Sequence, residues 1–160
     1  MDIRFATRDD VPVIAELILA LATFEKLAHA VTGDQAALAQ HLFGPRPFAE
    51  VLLAEDEGKV LGFALFFYNF STFLTKPGVY LEDLFVRQEA RGRGIGKALL
   101  SRLAVVALDH GCGRLEWAVL DWNAAAIDFY HSLGAEALTE WTVNRVSGSA
   151  LSALAGRAAE

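Results

Sequence analysis

Cysteine is almost missing from this chain. Cys112 is the only one in 160 residues, which leaves no means of building an internal disulfide framework or a multi-thiolate zinc site. It sits between Gly111 and Gly113 in an expected turn, so its thiol reads as a small, partly buried side chain rather than a nucleophile. Histidine is sparse too: His29, His41, His110 and His131 stand singly. None has the spacing that sets two imidazoles on one helix face, and no metal is expected. Basic residues are outnumbered, 14 against 20 acidic ones, for a net charge of −6. That balance argues against a nucleic-acid partner, which needs a basic surface, and suits a cationic one. No stretch of 18 apolar residues exists to cross a bilayer, and the opening MDIRFATRDD is charged where a secretory leader would be apolar. No membrane partner is therefore expected, and the cytosol is the expected location.

Apolar side chains, by contrast, are plentiful. At 54% apolar and 11% aromatic the chain has enough material for one domain with a real core, expected over residues 1–147, with 148–160 as a tail or short helix. IRFAT reads as a strand, and Thr7 with Asp10 has capping-box spacing ahead of Pro12. Val11, Ile14, Leu17, Ile18 and Leu21 then recur at helical spacing, which predicts a helix over roughly 9–24. A second helix is expected from Gln35 to Leu42, stopped by GPRP. VLLAE and KVLGFALFFYNF, parted by a turn at Asp56–Gly58, read as a hairpin, and VYLEDLFV as the next strand. Ile95, Leu99, Leu100, Leu103 and Val106 mark one side of a helix ending near Gly111. RLEWAVL is a further strand, Asn123 caps a helix that Gly134 ends, and EWTVNRV is a final strand. The order β-α-α-β-β-β-α-β-α-β predicts an α/β (α+β) domain with a mixed, twisted sheet of six to seven strands and helices on both faces.

The turn RGRGIGK, Arg91 to Lys97, lies between a strand and a helix. A phosphate-binding P-loop would need a glycine where Arg91 stands and a hydroxyl where Ala98 stands; a dinucleotide fingerprint begun at Gly92 would need a glycine at Lys97. What remains is R-x-x-G-x-G, a turn whose outward-pointing amides and following helix dipole suit a diphosphate. Arg87, Arg91, Arg93 and Lys97 place four of the 14 basic residues in this segment. The plainer alternative is a glycine-rich turn carrying solvated charges.

This turn after an apolar strand resembles the acetyl-CoA pyrophosphate loop of the GNAT acetyltransferases. Together, YLEDLFV, RGRGIGKALL, VLDWNAAAIDFYHSLGA and FSTFLTKPG are similar to their diamine acetyltransferase branch, the spermidine/spermine N1-acetyltransferase-like proteins with thialysine-acetylating members. The resemblance implies acetyl-CoA as cosubstrate, a small amine as acceptor and a homodimer. It implies that the backbone of Leu84, Phe85 and Val86 pairs with the pantetheine amides. Arg91, Gly92, Arg93, Gly94, Ile95, Gly96 and Lys97 would wrap the diphosphate, and Asn123 and Ala126 would touch the far arm of the cofactor. Tyr130 takes the place of the general acid, and Glu82 that of the carboxylate near the acceptor amine. Phe24, Glu25, Asp83 and Glu140 fall at acceptor-binding positions.

Strict alternation in VYLEDLFV would set Tyr80, Glu82, Leu84 and Val86 on one face and Leu81, Asp83 and Phe85 on the other. Two carboxylates inside an apolar strand are costly unless they meet a wet cleft or an arginine. Glu82 can take a proton from an amine, which as an ammonium has no lone pair to attack a thioester, and Tyr130 can return one to the departing thiolate. The alternative for Tyr130 is a core aromatic, because Ile127, Tyr130 and Leu133 share apolar spacing. The expected activity is N-acetyl transfer to a polyamine, diamine or thialysine-like amine. The alternatives are a protein or amino-acid N-acetyltransferase, or a CoA-binding regulatory module without turnover.

Overall fold

The computed structural model describes residues 1–159; Glu160, the end of the expected tail, lies outside the described residues. The chain forms two compact units, Met1–Ala118 and Val119–Glu160. Five strands make one sheet in the order β1-β2-β3-β4-β5, comprising β1 (Asp2–Phe5), β2 (Glu50–Asp56), β3 (Lys59–Ser71), β4 (Lys76–Val86) and β5 (Leu115–Trp117). All neighbours are antiparallel except β4 and β5. A parallel pair needs a crossover, and α3 (Ile95–Asp109) supplies it. The glycine turn is the first half of that connection.

The first unit is built as its sequence pattern dictates. A 3₁₀ turn at Arg8–Asp10 leads into α1 (Val11–Phe24), and Asp10 locks the entry. Its carboxylate accepts from the Thr7 N–H at 2.7 Å and from the Arg4 guanidinium at 2.8 and 2.9 Å, which holds its pKa at about 2. Glu57 and Gly58, both at positive φ, form the two-residue turn between β2 and β3, the backbone that matches strand twist. Ile14 and Leu17 of α1, Leu42 of α2 (Gln35–Phe43), and Val51, Leu53, Phe63 and Phe85 of the sheet form one buried cluster. Leu52, Ala64 and Phe66, of opposite parity, are buried as well, as are Leu81, which pairs with Phe66, and Ile95, Leu99, Leu100, Leu103 and Val106 of α3. Helices thus cover both faces of a mixed sheet.

The sheet has five strands, not six to seven. Glu140–Val146, expected as the last strand, has no ladder partner among the described residues. The segment is exposed, and two of its groups bond locally: the Trp141 N–H donates to Leu138 O and Asn144 Nδ2 to Thr142 O. Trp141 and Val143 are left 77% and 80% exposed. β5 is also shorter than RLEWAVL, pairing only through Leu115–Trp117. In the second unit α4 (Ala124–Ser132) starts where Asn123 Oδ1 accepts from the Ala126 N–H at 3.3 Å, and Gly134 follows its end at φ 88°. The tail forms a helix, α5 (Gly148–Gly156). No helix among the described residues is long and apolar enough to cross a membrane.

Candidate active site

The chemistry of β4 turns on one extra residue. Leu65 of β3 pairs with Asp83 and the next residue, Phe66, pairs with Leu81, so Glu82 is inserted into the strand as a bulge. Strict alternation therefore fails. Leu81 and Leu84 share the α3 face, while Tyr80, Asp83 and Phe85 share the face of α1. The cause is local: an extra residue shifts the side-chain period by one, so the segments on its two sides fall out of phase. Parallel pairing with β5 stops at Leu81 and Trp117, one residue before the bulge, and β4 runs on to Val86. Over Glu82–Val86 the edge of β4 that faced β5 has no strand ladder among the described residues. Leu84, Phe85 and Val86 thus lie on a strand with an open edge, the arrangement that an extended, amide-bearing ligand can join.

Asp83 is half-buried beside this edge. Burial first, then the charges of Glu82 and Glu25, push its pKa up to about 6. Glu82 itself is exposed. Burial likewise raises the pKa of Glu25, and that of the Tyr80 hydroxyl, which Glu82 and Glu116 raise further. Neither Glu82 nor Asp83 forms an ion pair among the described residues, so the arginine-paired alternative does not describe them. Glu25 holds the C-cap of α1, the negative end of the helix dipole, where an acid opposes rather than supports the helix. Lys26 follows at φ 62°, its N–H donating to Thr23 O while that of Leu27 donates to Ala22 O. These two bonds close a Schellman motif with lysine in the place usually taken by glycine.

The turn after β4 has the geometry of an anion cradle. Gly92 and Gly94 both lie at φ 78°, a conformation that disfavours any side chain, and Gly94 is the N-cap of α3. Among the described residues no side chain caps that helix and no acid stands in its first turn, so the amides of Ile95, Gly96 and Lys97 form the positive end of the dipole without a capping side chain. The cation cluster is less available than its sequence density indicates. Arg87 donates to Val60 O at 2.8 Å and to Glu16 at 2.7 Å; Arg91 donates to Val86 O at 3.1 Å. Arg93 bonds Asp56 at 2.6 Å, a solvent-screened surface pair that a phosphate can displace. Lys97 is exposed in the first turn.

Four of the expected residues, Asn123, Ala126, Tyr130 and Glu140, belong to the second unit. Asn123 caps α4, and Ala126 supplies the N–H that it receives. Tyr130 lies on the same helix, half-buried, with its ring centroid 5.4 Å from that of Phe129. No residue of α4 is fully buried; Ile127 and Tyr130 are half-buried. Glu140 is exposed in the turn before the unpaired segment. Sequence reasoning missed the bulge, which sets Tyr80 on the face of Asp83, and the raised pKa of Asp83. The signal was the adjacent Glu82–Asp83 pair, because two consecutive acids in a buried strand can share one wet side only across a bulge.

Comparison with known proteins agrees with this geometry. Residues 18–135 match the model of the Acetyltransferase (GNAT) family. The thialysine N-epsilon-acetyltransferase of Bos taurus is 42% identical over 97% of each chain. The human spermidine/spermine N(1)-acetyltransferase-like protein 1 is 36% identical over 83% of this chain and 20% of its own. An integron cassette protein from the mobile metagenome of V. cholerae superposes with a TM-score of 0.81 at 30% identity, covering 96% of both chains. The family model and these relatives match the chain over most of its length, and the protein belongs to the GNAT acetyltransferase family.

Proposed function

We propose that this protein moves an acetyl group from acetyl-CoA directly to a primary amine of a small cationic acceptor: a polyamine, a diamine or a lysine-like amino acid. The observation that carries this reading is the bulge, which sets Glu82 and Asp83 together beside the open edge of β4 and within electrostatic reach of Glu25. Three acids with no ion pair among the described residues attract an amine in its charged form. The amine, with an ordinary pKa of about 10, must then lose its proton before it attacks. Glu82, exposed at the bulge, takes the proton directly or through water, and Asp83 and Glu25 hold the cation.

The amides of Leu84–Val86 pair with the pantetheine arm and those of Gly92–Lys97 hold its diphosphate. A strand amide near Phe85 meets the oxyanion as nitrogen adds to the thioester carbon. Collapse of that intermediate breaks the carbon–sulfur bond, Tyr130 donates a proton to the leaving thiolate, and the second proton, shed by the acylated nitrogen, returns to the Tyr130 oxygen through solvent. Asn123 and Ala126 serve the far arm of the cofactor, and Phe24 and Glu140 the acceptor. The exposed, unpaired segment at Trp141 and Val143 supports a homodimer in which a second copy covers it.

Release of free CoA thiol from acetyl-CoA, followed with spermidine, putrescine, thialysine, lysine and a peptide, tests the reading. Turnover with the small diamines or lysine-like amines is expected, slowed in Tyr130→Phe. Turnover with the peptide alone would move the assignment to protein acetylation. Cofactor binding without release for any amine would leave a non-catalytic CoA module.

A further inference from the structure

Arg91 opens the glycine turn, yet its guanidinium points at the acceptor side. Its carbon lies 4.6 Å from the centroid of the Phe24 ring and 5.6 Å from that of Phe85, while Nε donates to Val86 O at 3.1 Å. Phe24 is the last residue of α1 and immediately precedes Glu25; Phe85 and Val86 end β4. One side chain therefore ties together the helix end that carries an acceptor acid, the strand edge and the cofactor turn. Phe85 is buried in the core cluster and cannot move, whereas Phe24 is 41% exposed and is held there in part by this contact. Arginine suits the task because its planar guanidinium stacks on rings and still donates in its own plane, which a lysine ammonium does not.

We infer that Arg91 is a positioning residue, a strut between Phe24 and Phe85 through which the acetyl-CoA turn and the Glu25 end of α1 hold each other in place. The inference rests on the acetyltransferase reading for the identity of the two ligands. Coupling between binding sites is reciprocal, so a change at Phe24, which is outside the glycine turn, should be felt by acetyl-CoA, and a change at Arg91 should be felt by the amine.

A double-mutant cycle decides this. Acetyl-CoA Kd is measured by calorimetry without amine, and amine KM at saturating acetyl-CoA, for the unsubstituted protein, Phe24→Leu, Arg91→Gln and the pair. Phe24→Leu is expected to raise acetyl-CoA Kd about two- to fivefold, the value of one partly exposed cation–π contact, and to have almost no effect once Arg91→Gln is present. Phe24→Tyr, which keeps the ring, should restore the unsubstituted Kd, as a merely bulky role at that position would not require. Factors that simply multiply in the double variant, or an acetyl-CoA Kd unmoved by Phe24→Leu, would overturn the strut. An unsubstituted protein that binds acetyl-CoA but acetylates no amine would refute the acetyltransferase reading, while the calorimetric cycle would still decide the strut. Failure to bind acetyl-CoA at all would overturn both.

Discussion

The two units are held together by different means. Met1–Ala118 is organised around side chains excluded from water on both faces of a sheet, among them Phe63, Leu53 and Leu99. Among the described residues of the second unit none is fully buried, and it relies on local devices, the Asn123 cap, the Gly134 turn and short-range hydrogen bonds. In the first unit the candidate site inherits rigidity from the core: the bulge at Glu82 is pinned by paired residues on either side, and Phe85 is itself core. Tyr130, Asn123 and Glu140 stand on elements whose order is local. Precise positioning is thus concentrated in the acids of β4 and the turn that follows them.

Substitutions sharpen this contrast. The largest effect is expected from Phe63→Ala, which empties a fully buried ring position and should cost about 3–5 kcal/mol in denaturant unfolding. Glu82→Gln should leave stability almost unchanged and lower kcat about a hundredfold, the ordinary scale of a general base, with acetyl-CoA affinity preserved by calorimetry. Weakened cofactor binding at unchanged kcat would contradict that role.

Asp83→Asn tests the cost of the site to the fold. Folding raises the Asp83 pKa from its ordinary value to about 6, so the native state binds the proton more tightly than the unfolded chain. Stability linked to this group is complete below about pH 4 and declines as pH rises through about 6. Removing the charge should make the protein more stable at pH 8, by up to roughly 3 kcal/mol, while lowering acetylation. The gain over the unsubstituted protein should vanish toward pH 4. A stability difference independent of pH would contradict the buried placement. Gly94→Ala, at φ 78°, should cost about 1–2 kcal/mol and raise acetyl-CoA Kd. The smallest effect is expected for Trp141→Ala in the second unit, within about 0.5 kcal/mol at dilution where the chain is monomeric.

Which features were legible in the sequence follows from the range of the forces behind them. The apolar stripes of α1 and α3, the turn at Glu57–Gly58, the caps at Asp10 and Asn123 and the glycine turn are set within a few residues of chain. The face of Asp83, the partners of Arg91 and the missing ladder of 140–146 depend on neighbours far away in sequence. EWTVNRV has the composition of a strand, but composition provides no partner for its hydrogen bonds, and without one the segment is exposed, with two of its groups bonding locally.

By itself, then, the sequence determined the elements, the glycine cradle between β4 and α3, and the presence of two adjacent acids ahead of it, because periodicity, capping and backbone freedom act locally. Only the tertiary structure decided that Glu82 is inserted against Leu65, that Asp83 turns toward Glu25 in a partly dry site, and that Arg91 lies on Phe24 rather than reaching freely from the turn. Those outcomes are set by strand register and by packing between distant segments, and a register shift of one residue reverses every face that a local pattern can predict.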